Sequence, residues 1–109
     1  MPWKVLYFQT ARGDYPVREF VDAQDKASKV KVKMSLNLLK NHGPFLKPPL
    51  IKKITKDIYE LRIIGKTSIR IFFTPWGNDF YLLHGFVKKA QKTPAKEIKI
   101  AVARLKLLI

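Results

Sequence analysis

The stretch Tyr59-Glu60-Leu61-Arg62-Ile63-Ile64-Gly65-Lys66-Thr67-Ser68-Ile69-Arg70-Ile71-Phe72-Phe73-Thr74 decides the fold. On both sides of Gly65-Lys66-Thr67 the chain alternates with a period of two. Tyr59, Leu61 and Ile63 fall on one side, with Ile58, Glu60, Arg62 and Ile64 on the other; beyond the turn, Ile69, Ile71 and Phe73 oppose Arg70 and Phe72. β-Branched and aromatic residues at that spacing, interrupted by a short Gly-containing turn, read as an antiparallel hairpin. The strand before the turn is expected to run from Ile51 to Ile64, straight or bent. Pro75-Trp76-Gly77-Asn78 makes a second turn, and Phe80 to Lys88 a third strand of the same meander, with Phe80, Leu82, His84, Phe86 and Lys88 at its even positions.

Outward from this meander the period lengthens. Thr93-Pro94 opens a last helix, with Ile98, Ala101, Val102, Leu105 and Leu108 as its core stripe and Lys96, Lys99 and Lys106 off it. On the amino-terminal side, residues 44–49 contain three prolines and make a stiff connector. Asn41-His42-Gly43-Pro44 is a helix stop, with Gly for the cap and Pro against continuation. It closes a helix over about 26–41 whose expected buried stripe is Ala27, Val30, Met34 and Leu38. A shorter helix starts at Asp14-Tyr15-Pro16 and carries Val17, Phe20 and Val21 to about Asp25, and residues 3–9 form a first strand. The order is β-α-α-β-β-β-α. Helices and antiparallel hairpins are segregated, which is the α+β class.

The 109 residues suit one domain spanning 1–109. Twenty-two Lys and Arg against eight Asp and Glu give a net charge of +14. Such an excess favours polyanionic partners, nucleic acid before an anionic membrane surface. Nine lysines and no acid occupy the segment from Lys26 to Lys56, and seven basic residues accompany Glu97 alone from Lys88 onward. The absence of cysteine removes disulfides, thiolate nucleophiles and Cys-based zinc sites. His42 and His84 lie 42 positions apart, which is no metal-ligand spacing, and no Gly-rich phosphate loop or nucleophile elbow occurs, so no metal or cofactor is expected. Met1-Pro2-Trp3-Lys4 passes at once into a strand-like run without the regions of a signal peptide. No apolar run approaches the ~18 residues of a membrane span. A cytoplasmic protein is the expectation.

A charge inside a strand must face solvent or a partner. Arg62 and Arg70, on neighbouring strands, make a forked anion site, because guanidinium matches phosphate oxygens bidentately. Lys88, Lys89 and Lys92 cluster where the last strand closes.

The succession Tyr59-Glu60-Leu61-Arg62, Arg70 beside Phe72-Phe73, then Leu82-Leu83-His84-Gly85-Phe86-Val87-Lys88-Lys89-Ala90-Gln91-Lys92-Thr93-Pro94 resembles the RelE superfamily of type II toxin–antitoxin toxins, in its HigB-like, phage-derived branch. The resemblance covers nearly the whole chain, and the segment from Leu82 to Pro94 is its most specific part. It implies a small twisted antiparallel sheet packed against helices, cleavage of mRNA, commonly on the translating ribosome, and a neighbouring antitoxin, often a HigA-like helix-turn-helix protein. Arg62 and Arg70 match the family's strand-borne basic positions and would hold the scissile phosphate. Lys88 and Lys89 match the basic residues closing the last strand, and Lys92 would contact the RNA backbone. His84 and Glu60 are the proton-transfer candidates, and Tyr59 or Phe86 could stack a base. Some relatives place a Tyr or His near the carboxy terminus; here the last Tyr is Tyr81.

RNA carries its own nucleophile, the 2′-OH, so an enzyme need only align it with the phosphate, neutralise developing charge and move protons. Other readings stand beside these roles. His84 fits a hydrogen-bonded core histidine, Glu60 an ion-pair partner for Arg62 or Arg70, and Tyr59 and Phe86 core packing. Two other functions fit the same chain: a non-catalytic nucleic-acid binder, and a ParE-like toxin acting on DNA gyrase.

Overall fold

The computed structural model describes residues 3–108; Met1, Pro2 and Ile109, including the first two residues of the expected leaderless start, lie outside the described residues. The elements are β1 (Lys4–Tyr7), α1 (Pro16–Asp22), α2 (Lys26–His42), a short 3-10 turn (Gly43–Phe45), β2 (Ile51–Lys53), β3 (Tyr59–Ile63), β4 (Ile69–Trp76), β5 (Asp79–Val87) and α3 (Ala95–Leu108). They form a small α+β domain with a five-stranded sheet in the order β1-β5-β4-β3-β2. β2 through β5 are antiparallel neighbours, as the period-two reading anticipates.

Two features correct the expected antiparallel sheet and its element order. The sheet is mixed, because β1 runs parallel to β5, with Val5 beside Phe80 and Tyr7 beside Leu82. Parallel neighbours need a long crossover, and everything from α1 to β4 lies between these two strands in sequence. The expected strand over 51–64 is a hairpin: β2 folds back on β3 with Ile51 opposite Leu61. Its turn is tied by Ile54 and Thr55 N–H donating to the Ile58 carbonyl, while the Thr55 hydroxyl accepts from the N–H of Asp57 and Ile58.

The sheet is covered on both faces. Under α1 and α2, Val17, Val32 and Leu39 pack on Leu61, Ile63, Ile69, Ile71, Phe73 and Leu82. Under α3, Ile98, Ala101, Val102 and Leu105 pack on Phe8, Ile58, Phe72, Leu83 and Phe86. This explains why β4 is buried from Ile69 to Thr74 on both faces. The α3 stripe is the one that the helical period picks out.

The α2 stripe is not. The residues that face the sheet are Ser28, Val32, Leu36 and Leu39, whereas Val30, Met34 and Leu38 are turned to solvent, Met34 at 62 % exposure. Asp25 caps the helix, its carboxylate accepting from the Ser28 N–H at 2.7 Å, and that bond holds its pKa below the ordinary aspartate value. At the other end Gly43, with φ +51°, lets the chain turn against the Trp3 ring; a Cβ there would sit 2.5 Å from that ring.

The even-position reading of β5 fails at one residue. Phe72 pairs with His84 and Phe73 with Leu82, so Leu83 is a bulge. Before it, Phe80 and Leu82 face the α1–α2 core; after it, Phe86 faces the α3 core. The Leu83 carbonyl, displaced from the ladder, accepts from Arg104 Nη1 of α3 at 2.8 Å.

Candidate functional site

Register places Arg62 directly opposite Arg70, and Arg70 opposite Phe86, in one row across β3, β4 and β5. The next row is Glu60, Phe72 and His84. Two cations side by side on adjacent strands repel, so a counter-ion is needed. Glu60 supplies it. Its side chain is fully buried; Oε1 accepts from Arg62 Nε at 3.2 Å and lies 3.7 Å from Arg70 Nε, while Oε2 is 3.4 Å from the Thr93 hydroxyl. Glu60 thus anchors both guanidinium groups and pins the segment ahead of α3.

Arg70 is 9 % exposed. Burial lowers its pKa, the Glu60 charge raises it, and Arg62 lowers it again; the group stays cationic. Among the described residues it makes one hydrogen bond, Nη1 donating to its neighbour's Ile69 carbonyl at 3.1 Å, and its buried Nε has no hydrogen-bond partner. A guanidinium has five donors. The buried Nε has only the Glu60 carboxylate near it, 3.7 Å away and beyond hydrogen-bond distance.

Arg70 opens into a shallow cleft of about 400 Å³, lined with Ser68, Lys88, Lys89, Ala90 and Gln91. The bond from Lys88 N–H to the Ser68 carbonyl, 2.8 Å, extends the β4–β5 pairing and fixes the root of the lysine side chain at the cleft wall. Three cations, one on β4 and two just past the end of β5, share one cleft. Ser68 and Gln91 were not singled out by sequence reasoning; their positions flanking Arg70 and Lys89 are the signal that could have found them. Arg62 lines a different groove, beside Met34, Leu38 and Ile64 of the α2 side, and shares the Glu60 carboxylate with Arg70. Lys92 is exposed in the loop between β5 and α3 and does not line the cleft.

The remaining sequence candidates are placed elsewhere. Tyr59 points to the opposite face of the sheet and stacks on Phe73 at 5.9 Å between ring centres, within the α1–α2 core. Phe86 is buried under α3 and meets Phe72 edge-on at 5.2 Å. Neither presents a ring face to the cleft. His84 is clasped by α3: Nε2 is 2.8 Å from Glu97 Oε1 and Nδ1 3.3 Å from Arg104 Nη1. Arginine can only donate, so Nδ1 is the acceptor and the ring is neutral, with its Nε2–H donating to Glu97. Burial lowers the His84 pKa most; Glu97 opposes this and Arg104 adds to the lowering. Glu97 and Arg104 were missed because they lie on a helix whose charges read as a solvated face. Among the described residues no group of three or more His, Cys, Asp or Glu stands close enough together to hold a metal ion, and no helix is long and apolar enough to cross a membrane.

The sheet and its covering helices define a small α+β protein with a basic cleft where β4 begins and β5 ends. The model of the phage-derived Gp49-like family (DUF891) matches residues 19–106, and the chain belongs to that family. The match takes in every residue of the cleft, the whole of α2 and α3 as far as Lys106. No curated protein matches the chain.

Proposed function

We propose that this chain is a toxin of the RelE superfamily, HigB-like, which cuts mRNA without a metal, acts in the cytoplasm on the translating ribosome and is held in check by a helix-turn-helix antitoxin. The observation that carries the reading is the under-satisfied Arg70 guanidinium sharing a cleft with Lys88 and Lys89. A buried cation with free donors is costly unless an anion completes it. A phosphodiester fits the fork of Arg70 and leaves its other oxygen to the lysines. Membership of a phage-derived family supports the branch, and the +14 charge supports a polyanionic substrate.

On this reading the 2′-oxygen attacks phosphorus, the bond from phosphorus to the 5′-oxygen breaks, and the fragments carry a 2′,3′-cyclic phosphate and a 5′-hydroxyl. The 2′-OH proton passes to water as the new bond forms, and the departing 5′-oxygen takes a proton from water. Arg70, Lys88 and Lys89 stabilise the added negative charge of the transition state. Glu60 is sealed inside the protein and serves as a positioning residue for Arg62 and Arg70. His84 is neutral, locked by α3 and absent from the cleft lining. The rate enhancement then comes from alignment and charge stabilisation, with no carboxylate or imidazole proton shuttle in the cleft.

The test uses purified chain added to a translating extract with a defined message. Discrete cuts ending in 5′-hydroxyl groups are expected, lost in Arg70→Ala and Lys88→Ala chains that keep the parent circular dichroism spectrum. RNA binding with no cut ends would make the protein a binder only. Intact messages with gyrase-dependent DNA damage in cells would assign it to the ParE-like group.

A further inference from the structure

α2 presents two apolar stripes, and the sheet covers only one. The other, Val30, Met34 and Leu38, is exposed, and Met34 and Leu38 line a groove of about 270 Å³ with Leu50 and Ile64, the last 66 % exposed. Apolar side chains gathered on two walls of one groove, on a chain this charged, mark a binding surface more often than chance exposure. We propose that this groove docks an acidic amphipathic helix of a protein partner.

Val30, Met34 and Leu38 share one helix face, and the groove that Met34 and Leu38 form with Leu50 and Ile64 suits the helix-in-groove mode, in which anchors recur every three or four residues. The rim chooses the partner's charge. Lys26, Lys33 and Lys40, seven residues apart, run along one side of the stripe; Lys31 and Arg62 line the other. Lys31 is held there, its ammonium 3.4 Å from the Ile64 carbonyl. Arg62 has Glu60 as its counter-ion, and no acid lies between Lys26 and Lys56 to neutralise the lysines of this rim. A helix with an apolar face and flanking Glu or Asp is complementary to it on both counts.

A second copy of the chain is a poor occupant. Two-fold pairing would bring each lysine row against a partner of the same sign on a molecule of charge +14. A bilayer is a poor occupant too, because the apolar side chains line a two-walled depression rather than a protruding face, whereas an interfacial helix inserts a convex apolar side. The inference stands apart from the nuclease reading, since Val30, Met34 and Leu38 touch no cleft residue that the reading uses.

The experiment measures fluorescence anisotropy of a labelled helical peptide with Leu at every third or fourth position and Glu on both flanks, titrated with the full chain. Binding is expected, weakened at least about tenfold by the double substitution Met34→Gln, Leu38→Gln, which removes apolar contact without changing charge. A scrambled peptide of the same composition should bind no better to the parent than to this variant. Equal binding of the helical peptide to both chains would overturn the proposal. So would Met34-dependent binding to phosphatidylglycerol vesicles in place of the peptide, or a Met34-dependent dimer in sedimentation. RNA cleavage by the double variant, equal to the parent's, separates a failure here from a failure of the nuclease reading.

Discussion

Replacing Glu60 by Gln keeps the size of the side chain and removes its charge. Two guanidinium groups lose their counter-ion at once. At 3.7 Å and an effective dielectric near 20, the attraction between Glu60 and Arg70 amounts to about 4 kcal/mol before desolvation is counted. The Arg62 pair is shorter, 3.2 Å, but Arg62 is a quarter exposed, and screening reduces its share to about 1 kcal/mol. Against these stands the relief of no longer burying a carboxylate, roughly 2 kcal/mol after relaxation. A net loss of about 3 kcal/mol follows, in the range seen when one partner of a buried pair is removed. Urea unfolding followed by tryptophan fluorescence measures it. With a slope of about 1.5 kcal/mol per molar, the midpoint should fall by about 2 M while the slope stays fixed. Adding Arg70→Gln should cost less than the sum of the two single changes, because the second substitution removes the charge that the first left unpaired. A Glu60→Gln chain within about 1 kcal/mol of the parent would refute the anchoring role given to this carboxylate.

Three further outcomes follow from the same geometry. The His84 imidazole should titrate below its ordinary value of 6.5 in NMR. Because the unfolded chain then binds the extra proton more readily, stability should be full above about pH 6.5 and fall as the pH drops through the lowered folded pKa; Arg104→Gln should move the titration upward, and a midpoint above 6.5 in the parent would contradict the neutral clasp. Gly85→Ala should destabilise by about 1–3 kcal/mol, since the added Cβ would sit 2.6 Å from the Phe20 ring of α1, and an unchanged thermal midpoint would argue against that contact. Lys88→Ala should lower the salt dependence of RNA binding by about one unit of the log–log slope, with affinity falling evenly across RNA sequences; an unaltered slope would remove Lys88 from the phosphate contacts.

Much of this fold is legible in local pattern because local pattern fixes it. β3 and β4 alternate strictly, so the pairing of Arg62 with Arg70 follows from the hairpin alone. α3 buries the stripe Ile98, Ala101, Val102, Leu105 and Leu108, which the helical spacing picks out. α2 has two, and period alone supports both; the sheet selects Val32, Leu36 and Leu39, a decision made by tertiary packing. The turn inside 51–64 was carried by Thr55-Lys56-Asp57, three polar residues in an otherwise alternating run. The Leu83 bulge has no local sign, since its neighbours are apolar on both sides and its carbonyl is satisfied by Arg104, twenty-one residues away. The parallel partner of β1 is equally non-local. At the site, residue type located Arg70, Lys88 and Lys89, which share the cleft, but could not tell which strand face Tyr59 occupies or that α3 clasps His84.

Arg70, its buried Nε without a hydrogen-bond partner among the described residues, shares a cleft with Lys88 and Lys89. Induced expression followed by genome-wide mapping of RNA 5′ ends, parent against Arg70→Ala with Lys88→Ala as the variant outside the buried ion cluster, tests the cleavage role of this cleft most directly. New 5′-hydroxyl ends within messages and growth arrest are expected in the parent, with both absent from the two variants. Identical end profiles in parent and variants, or arrest with every message intact, would contradict it.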